Sequence, residues 1–165
     1  MAVQINTINI GLSDTQRDGV INILTHILAD QHLLYTKMRN YHWNVVGPLF
    51  HTLHAVFEEQ YSQLATALDN TAERIRHLGA PAIGTLTEFQ RHTTLTESPE
   101  DYPDAITMIT NLVMDHETMI RNLRSNQATC AEEFQDMGTN DFLIGLMQQH
   151  EKMAWMLRSF LQERP

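Results

Sequence analysis

Apolar positions recur at three- and four-residue intervals through four long segments, the period of helices that each bury one face. The first runs from Asp14 to Asn44, with Val20, Leu24, Ile27, Leu34, Met38 and Tyr41 on one side, and Ser13 with Gln16 supplies a capping box at its start. Gly47-Pro48 interrupts the pattern, and Pro48 is placed to open the next helix. That second helix carries Leu53, Phe57, Tyr61, Leu64, Leu68, Ala72, Ile75 and Leu78 inward and ends at Gly79. Periodicity then fails between Ala80 and Tyr102, where Pro81, Gly84 and Pro99 punctuate the chain and Leu86–Arg91 reads as a short helix. A third long helix is expected from about Pro103 to Asp136, stopped by Gly138, and a fourth is capped by Thr139, with Phe142, Leu146, Met153, Met156 and Phe160 inward. Two short connections and one long one predict an all-α four-helix bundle whose crossover, between helices 2 and 3, carries a short helix.

Composition narrows the class. The 165 residues are expected to form one domain, residues 1–165, with 1–12 as a flexible N-terminal arm. No stretch is apolar enough to span a membrane, and the N-terminus lacks both the basic region and the apolar core of a secretory signal. Cys130 is the sole cysteine, so no internal disulfide is expected and a cytoplasmic location follows. Eleven Lys and Arg against 20 Asp and Glu give a net charge of −9, and the first sixteen residues hold no basic side chain. Such a surface attracts cations and repels phosphate backbones, so direct DNA binding is expected to be weak. The nine Met recur at helical spacing and read as core filler rather than a copper site.

The candidate chemistry lies on the second helix. His54 and Glu58 are four residues apart, as are Asp69 and Glu73, so each pair shares a face. The pairs are separated by eleven residues, or about 16 Å along a helix, whereas a metal–ligand bond is only about 2 Å long. One ion can therefore contact both pairs only if the site is built between two copies of the helix. At 100° per residue the four lie roughly 60–150° away from the centre of the core stripe, flanking it. Ser62, Ala65 and Thr66 between them are small enough to let two helices approach. An antiparallel mate crossing near Leu64 superposes His54/Glu58 on the partner's pair of acids, and one two-fold axis creates two identical sites. His42 precedes the Gly47-Pro48 turn by about as many residues as His54 follows it, which places both rings at one height. Mixed imidazole and carboxylate ligation suits iron, and also Zn2+ or Mn2+. A di-iron centre inside each bundle needs Glu-x-x-His pairs, and none of the nine His has a Glu three residues before it. His77 continues the Asp69–Glu73 stripe by a turn and is a possible extra ligand, while His26, His32, His51, His92, His116 and His150 read as surface or core-edge residues.

The segments HWNVVGPLFHTLH, FEEQY and LDNTAERIRHLG resemble the Dps family, the dodecameric mini-ferritins of bacteria, and the likeness runs through all four helices. The resemblance implies a ferritin-like bundle and a homo-dodecamer with metal sites at two-fold interfaces. It further implies a ferroxidase that oxidises Fe2+ to Fe3+, preferably with hydrogen peroxide and more slowly with O2, and stores the mineral in a hollow shell. By position the metal ligands fall on His42, His54, Asp69 and Glu73, with Glu58 where Asp is commoner. It implies Trp43 as an electron donor, Glu59 as a mineral-nucleation residue, and Glu133, Asp136 and Asp141 near the iron-entry pores. Protection of DNA from oxidative damage, with nucleoid association, belongs to the same expectation. The alternative from another class is a nucleoid protein that condenses DNA by direct contact.

Overall fold

The computed structural model describes residues 8–162, and among these every regular element is a helix. Four long helices and one short one follow in the order α1 (Asp14–Asn44), α2 (Phe50–His77), α3 (Leu86–His92), α4 (Ala105–Glu132) and α5 (Met137–Arg158). The all-α bundle with a helix-bearing crossover is therefore the observed architecture. None of the described helices is long and apolar enough to cross a membrane.

Local chemistry explains most boundaries. The Ser13 side chain accepts from the Gln16 backbone while the Gln16 side chain accepts from the Ser13 backbone, the capping box expected from the sequence. Gly79, at φ 100°, ends α2 in the left-handed region that a glycine enters without strain. Pro48 stands two positions ahead of α2, inside the turn rather than at its first helical residue. The start of α5 also differs from expectation. Asp136, not Thr139, is its N-cap, and Gly138 lies inside the first turn instead of stopping the helix before it. The reversal falls on Gln135, which takes up φ 55° after α4 has ended at Glu132. The Asp136 carboxylate accepts from Thr139 N and Thr139 Oγ1, which outweighs the helix-breaking tendency of the glycine.

Helices α1 and α2 pack as one antiparallel hairpin and α4 and α5 as another. Lys37 pairs with Asp115 at 2.5 Å and Asn111 donates to the Tyr41 hydroxyl at 3.1 Å, so α1 and α4 run in opposite directions. The crossover therefore travels the length of the bundle, which makes α4 parallel to α2. Buried Asp30 of α1 pins it there, accepting from Thr93 Oγ1, Thr94 N and Thr94 Oγ1. Of the expected arm, residues 1–7 lie outside the described residues. Leu12 packs against the core, and Ile8 approaches Gly79 so closely that a Cβ there would meet its Cδ1 at 2.2 Å.

The buried face of α2 is rotated from the one its apolar residues suggest. Gln60, Ala67 and Thr71 are buried with Leu53, Phe57, Leu64 and Ile75, while Tyr61, Leu68 and Ala72 are only partly covered. Polar side chains enter because partners are near: Thr71 Oγ1 donates to Ala67 O at 2.9 Å, and Gln60 Nε2 to Met153 O at 3.3 Å. The rotation leaves Tyr61, Leu68 and Ala72 on the flank that also carries the candidate ligands.

Candidate metal centre

Two imidazoles form the rigid part of the site. His42, in the last turn of α1, and His54, in the first turns of α2, stack with ring centroids 3.7 Å apart and planes inclined by 22°. Each ring reaches across to the other residue's backbone: His42 Nδ1 to His54 O at 2.8 Å, and His54 Nδ1 to His42 O at 2.8 Å. A carbonyl oxygen only accepts, so each Nδ1 must carry its proton. Each neutral ring is thereby held in the tautomer whose Nε2 is a bare lone pair, the form that binds a metal. His42 is 7% exposed and His54 half-buried, so protein restricts both rings before any ion arrives.

Glu58 stands one helical turn beyond His54 and is exposed. Asp69 and Glu73 are also exposed, further along the unbroken α2, and do not join the imidazoles within the chain. Among the described residues, no three His, Cys, Asp or Glu side chains converge tightly enough to hold a metal ion. Between the two groups, the small residues Ser62 and Thr66 are exposed and Ala65 is partly covered.

The other expected residues lie in varied settings. Trp43 is 62% exposed, and the Arg39 guanidinium carbon sits over its ring 4.7 Å from the centroid. His77 is exposed near the end of α2 and lines a crevice with Ile10, Leu12, Arg74 and Gln135. Glu59 is exposed and accepts from Gln63 Nε2 at 3.1 Å, and Glu133 and Asp141 are exposed as well. Asp136 is not an open carboxylate. It is 5% exposed, caps α5, and is ion-paired with Arg74 at 3.1 Å. Burial alone would raise its pKa, but the hydrogen bonds from Thr139 and the charge of Arg74 together hold it below the ordinary carboxylate value. That carboxylate ties α2 to α5 and is unsuited to meeting ions in a pore.

Two histidines expected at the surface or the core edge lie deeper than either. His116 and His150 are fully buried between α4 and α5, with their Nδ1 atoms 2.9 Å apart. Burial lowers both pKa values, that of His150 to about 4. Cys130 is buried too, and burial pushes its thiol up to about 11, out of the nucleophilic range.

Comparison with known proteins agrees with this architecture. The family described as Ferritin-like domain matches residues 21–164. An uncharacterized low temperature-induced protein of Nostoc sp. is 52% identical over 158 residues, 96% of this chain and 88% of its own length. DNA protection during starvation protein 2 of Bacillus anthracis is 38% identical over 144 residues, covering 87% of this chain and 97% of that protein. The crystal structure of a Dps protein from Vibrio cholerae, described as a member of a broad superfamily of ferritin-like diiron-carboxylate proteins, superposes with a TM-score of 0.88 at 30% identity. That match covers 98% of this chain and 100% of the other. The bundle is of the ferritin-like class, and the chain belongs to the ferritin-like family in its Dps branch.

Proposed function

We propose that the protein is a ferroxidase and iron store whose sites form between two copies related by a two-fold axis. His42, His54 and Glu58 of one copy and Asp69 and Glu73 of the other would hold Fe2+ as substrate, and the same donors would accept Zn2+ or Mn2+. The observation that carries this reading is the reciprocal lock of His42 and His54 across the α1–α2 turn, which leaves both Nε2 atoms as bare lone pairs, with Glu58 one helical turn beyond His54. Three carboxylates brought next to them would repel one another unless a cation were present, so dimer contact and metal binding support each other. Two ferrous ions held together give both electrons to one hydrogen peroxide, which breaks its O–O bond to water without releasing hydroxyl radical. O2 is the slower acceptor, and the ferric product is stored inside a hollow homo-dodecamer.

Glu59 on the exposed side of α2 is assigned to mineral nucleation, Asp141 and Glu133 to cation entry, and His77 to an additional contact with the metal. DNA is protected by removal of iron and peroxide. With a net charge of −9 per chain, direct grip on a phosphate backbone would be weak, so a cytoplasmic protein that shields the nucleoid chemically is favoured over one that condenses DNA.

Subunit mixing tests the reading. His42→Ala/His54→Ala and Asp69→Ala/Glu73→Ala subunits are each expected to lose rapid, peroxide-driven Fe2+ oxidation. When equal amounts are dissociated and reassembled, half the dimers are mixed and each of those regains one intact site, so about a quarter of the sites should recover. Failure to recover any activity in mixed assemblies of normal size would overturn the shared site.

A further inference from the structure

The imidazole pair has an aromatic neighbour that can supply an electron. Tyr61, on the partly covered flank of α2, sets its ring edge-on against His42, with centroids 5.3 Å apart and planes at 79°. Tyr35 of α1 stands edge-on to Tyr61 in turn, at 6.1 Å and 83°. Trp43 follows His42 in the chain, but successive helical residues point about 100° apart, and among the described residues its ring pairs with neither imidazole. Its ring instead lies under Arg39, whose guanidinium carbon is 4.7 Å from the Trp43 centroid, 5.4 Å from Tyr35 and 5.9 Å from Tyr61. Arg39 is held in place by its hydrogen bond to the Tyr35 hydroxyl at 3.0 Å. A fixed positive charge over a ring opposes removal of an electron, and the opposition is greatest at Trp43, where the charge is closest.

We propose that Tyr61, rather than Trp43, is the one-electron donor of the centre when a single ferrous ion is bound. The proposal rests on the ferroxidase reading and concerns the turnover that pairwise oxidation cannot complete. Hydrogen peroxide needs two electrons to become water, and a lone Fe2+ gives one. The second comes from the Tyr61 phenol, which loses its hydroxyl proton with the electron and becomes a neutral tyrosyl radical. The O–O bond breaks, and both oxygens leave as water after taking up the phenolic proton and one proton from solvent. Fe2+, the phenol, hydrogen peroxide and one proton thus give Fe3+, the tyrosyl radical and two water molecules, and hydroxyl radical is not released. The contact with His42 supplies the electronic path, because ring edges at that separation are in van der Waals range.

The test uses the assembled protein loaded with one Fe2+ per site, mixed with hydrogen peroxide and freeze-quenched for electron paramagnetic resonance. Wild type is expected to give a tyrosyl signal and few hydroxyl-radical spin adducts. Tyr61→Phe keeps the ring and its packing, and should lose the signal and raise the adduct yield several-fold. Trp43→Phe should retain both wild-type properties. A tyrosyl signal of undiminished size in Tyr61→Phe, or a tryptophanyl signal in wild type, would overturn the assignment. The same proteins loaded with two Fe2+ per site separate this failure from failure of the parent reading. Pairwise oxidation in wild type without the radical at single loading sinks the Tyr61 assignment alone, whereas absence of pairwise oxidation sinks both.

Discussion

At His42 and His54, twelve positions apart across the Gly47-Pro48 turn, each ring donates to the other's carbonyl, so the turn and the ring tautomers form one unit. Gly19 illustrates a different constraint at the same scale. A Cβ placed on it would lie 2.3 Å from Cε1 and Cζ of Phe134, so α1 has no side chain here because the aromatic ring following α4 occupies the space. Replacing a mid-helix glycine with alanine ordinarily stabilises by up to about 1 kcal/mol. Gly19→Ala is expected to do the reverse, costing about 1–3 kcal/mol through overpacking against the ring. Thermal denaturation of Gly19→Ala, Phe134→Leu and the double variant checks this by a double-mutant cycle, in which the alanine should become neutral or stabilising once the ring is smaller. A destabilisation by Gly19→Ala that persists unchanged beside Phe134→Leu would disprove the steric account.

At the level of elements, the crossover depends on Asp30, a carboxylate only 2% exposed in the middle of α1. Its acceptors satisfy the backbone N–H of Thr94 and the hydroxyls of Thr93 and Thr94, groups that no regular element would otherwise pair. Asp30→Ala should therefore cost about 2–5 kcal/mol and make residues 93–104 sensitive to proteolysis before the bundle itself unfolds. Cleavage there at the wild-type rate would show that α3 alone holds the crossover. Such pins are hard to read in a sequence, because an isolated Asp among apolar residues looks like an exposed edge. Ends marked by short-range chemistry are legible: the Ser13/Gln16 box and Gly79 both act on adjacent backbone. The start of α5 is less so, since Gly138 reads as a stop until Arg74, more than sixty residues away, is seen to hold the Asp136 cap. The face of α2 is displaced for a similar reason, because Gln60 finds its partner on α5. In the candidate site, spacing across the turn brings His42 and His54 together, and helical period puts Glu58 one turn beyond His54. Asp69 and Glu73 stay apart from the imidazoles within the chain, and the proposed two-copy site rests on their paired spacing and the small residues between.

Across the whole molecule, the two helical hairpins enclose polar groups whose protonation opposes folding. His116 and His150 are fully buried, share a hydrogen bond through Nδ1, and leave both Nε2 atoms without partners. Burial, with the charge of His150 adding for His116, lowers the first well below the ordinary histidine value, and burial lowers the second to about 4. In the unfolded chain both titrate near pH 6.5. Below that pH the unfolded state binds more protons than the native state, so stability falls as acid is added. The stability due to neutral imidazoles is fully present above pH 6.5 and is lost between there and the native values. Each group contributes a slope approaching about 1.4 kcal/mol per pH unit, so the pair should remove about 3–4 kcal/mol between pH 7 and pH 5. Denaturant unfolding at fixed protein concentration across that range should show the loss in wild type. His116→Leu/His150→Leu replaces both rings with apolar side chains and should have a markedly flatter profile, whatever its stability at neutral pH. His150→Leu alone strands His116 without its partner and should weaken the bundle at pH 7 while keeping roughly half of the acid sensitivity. Parallel pH profiles for wild type and the double variant would assign the acid response to other groups, and with it the first steps of acid unfolding to some place other than the α4–α5 seam.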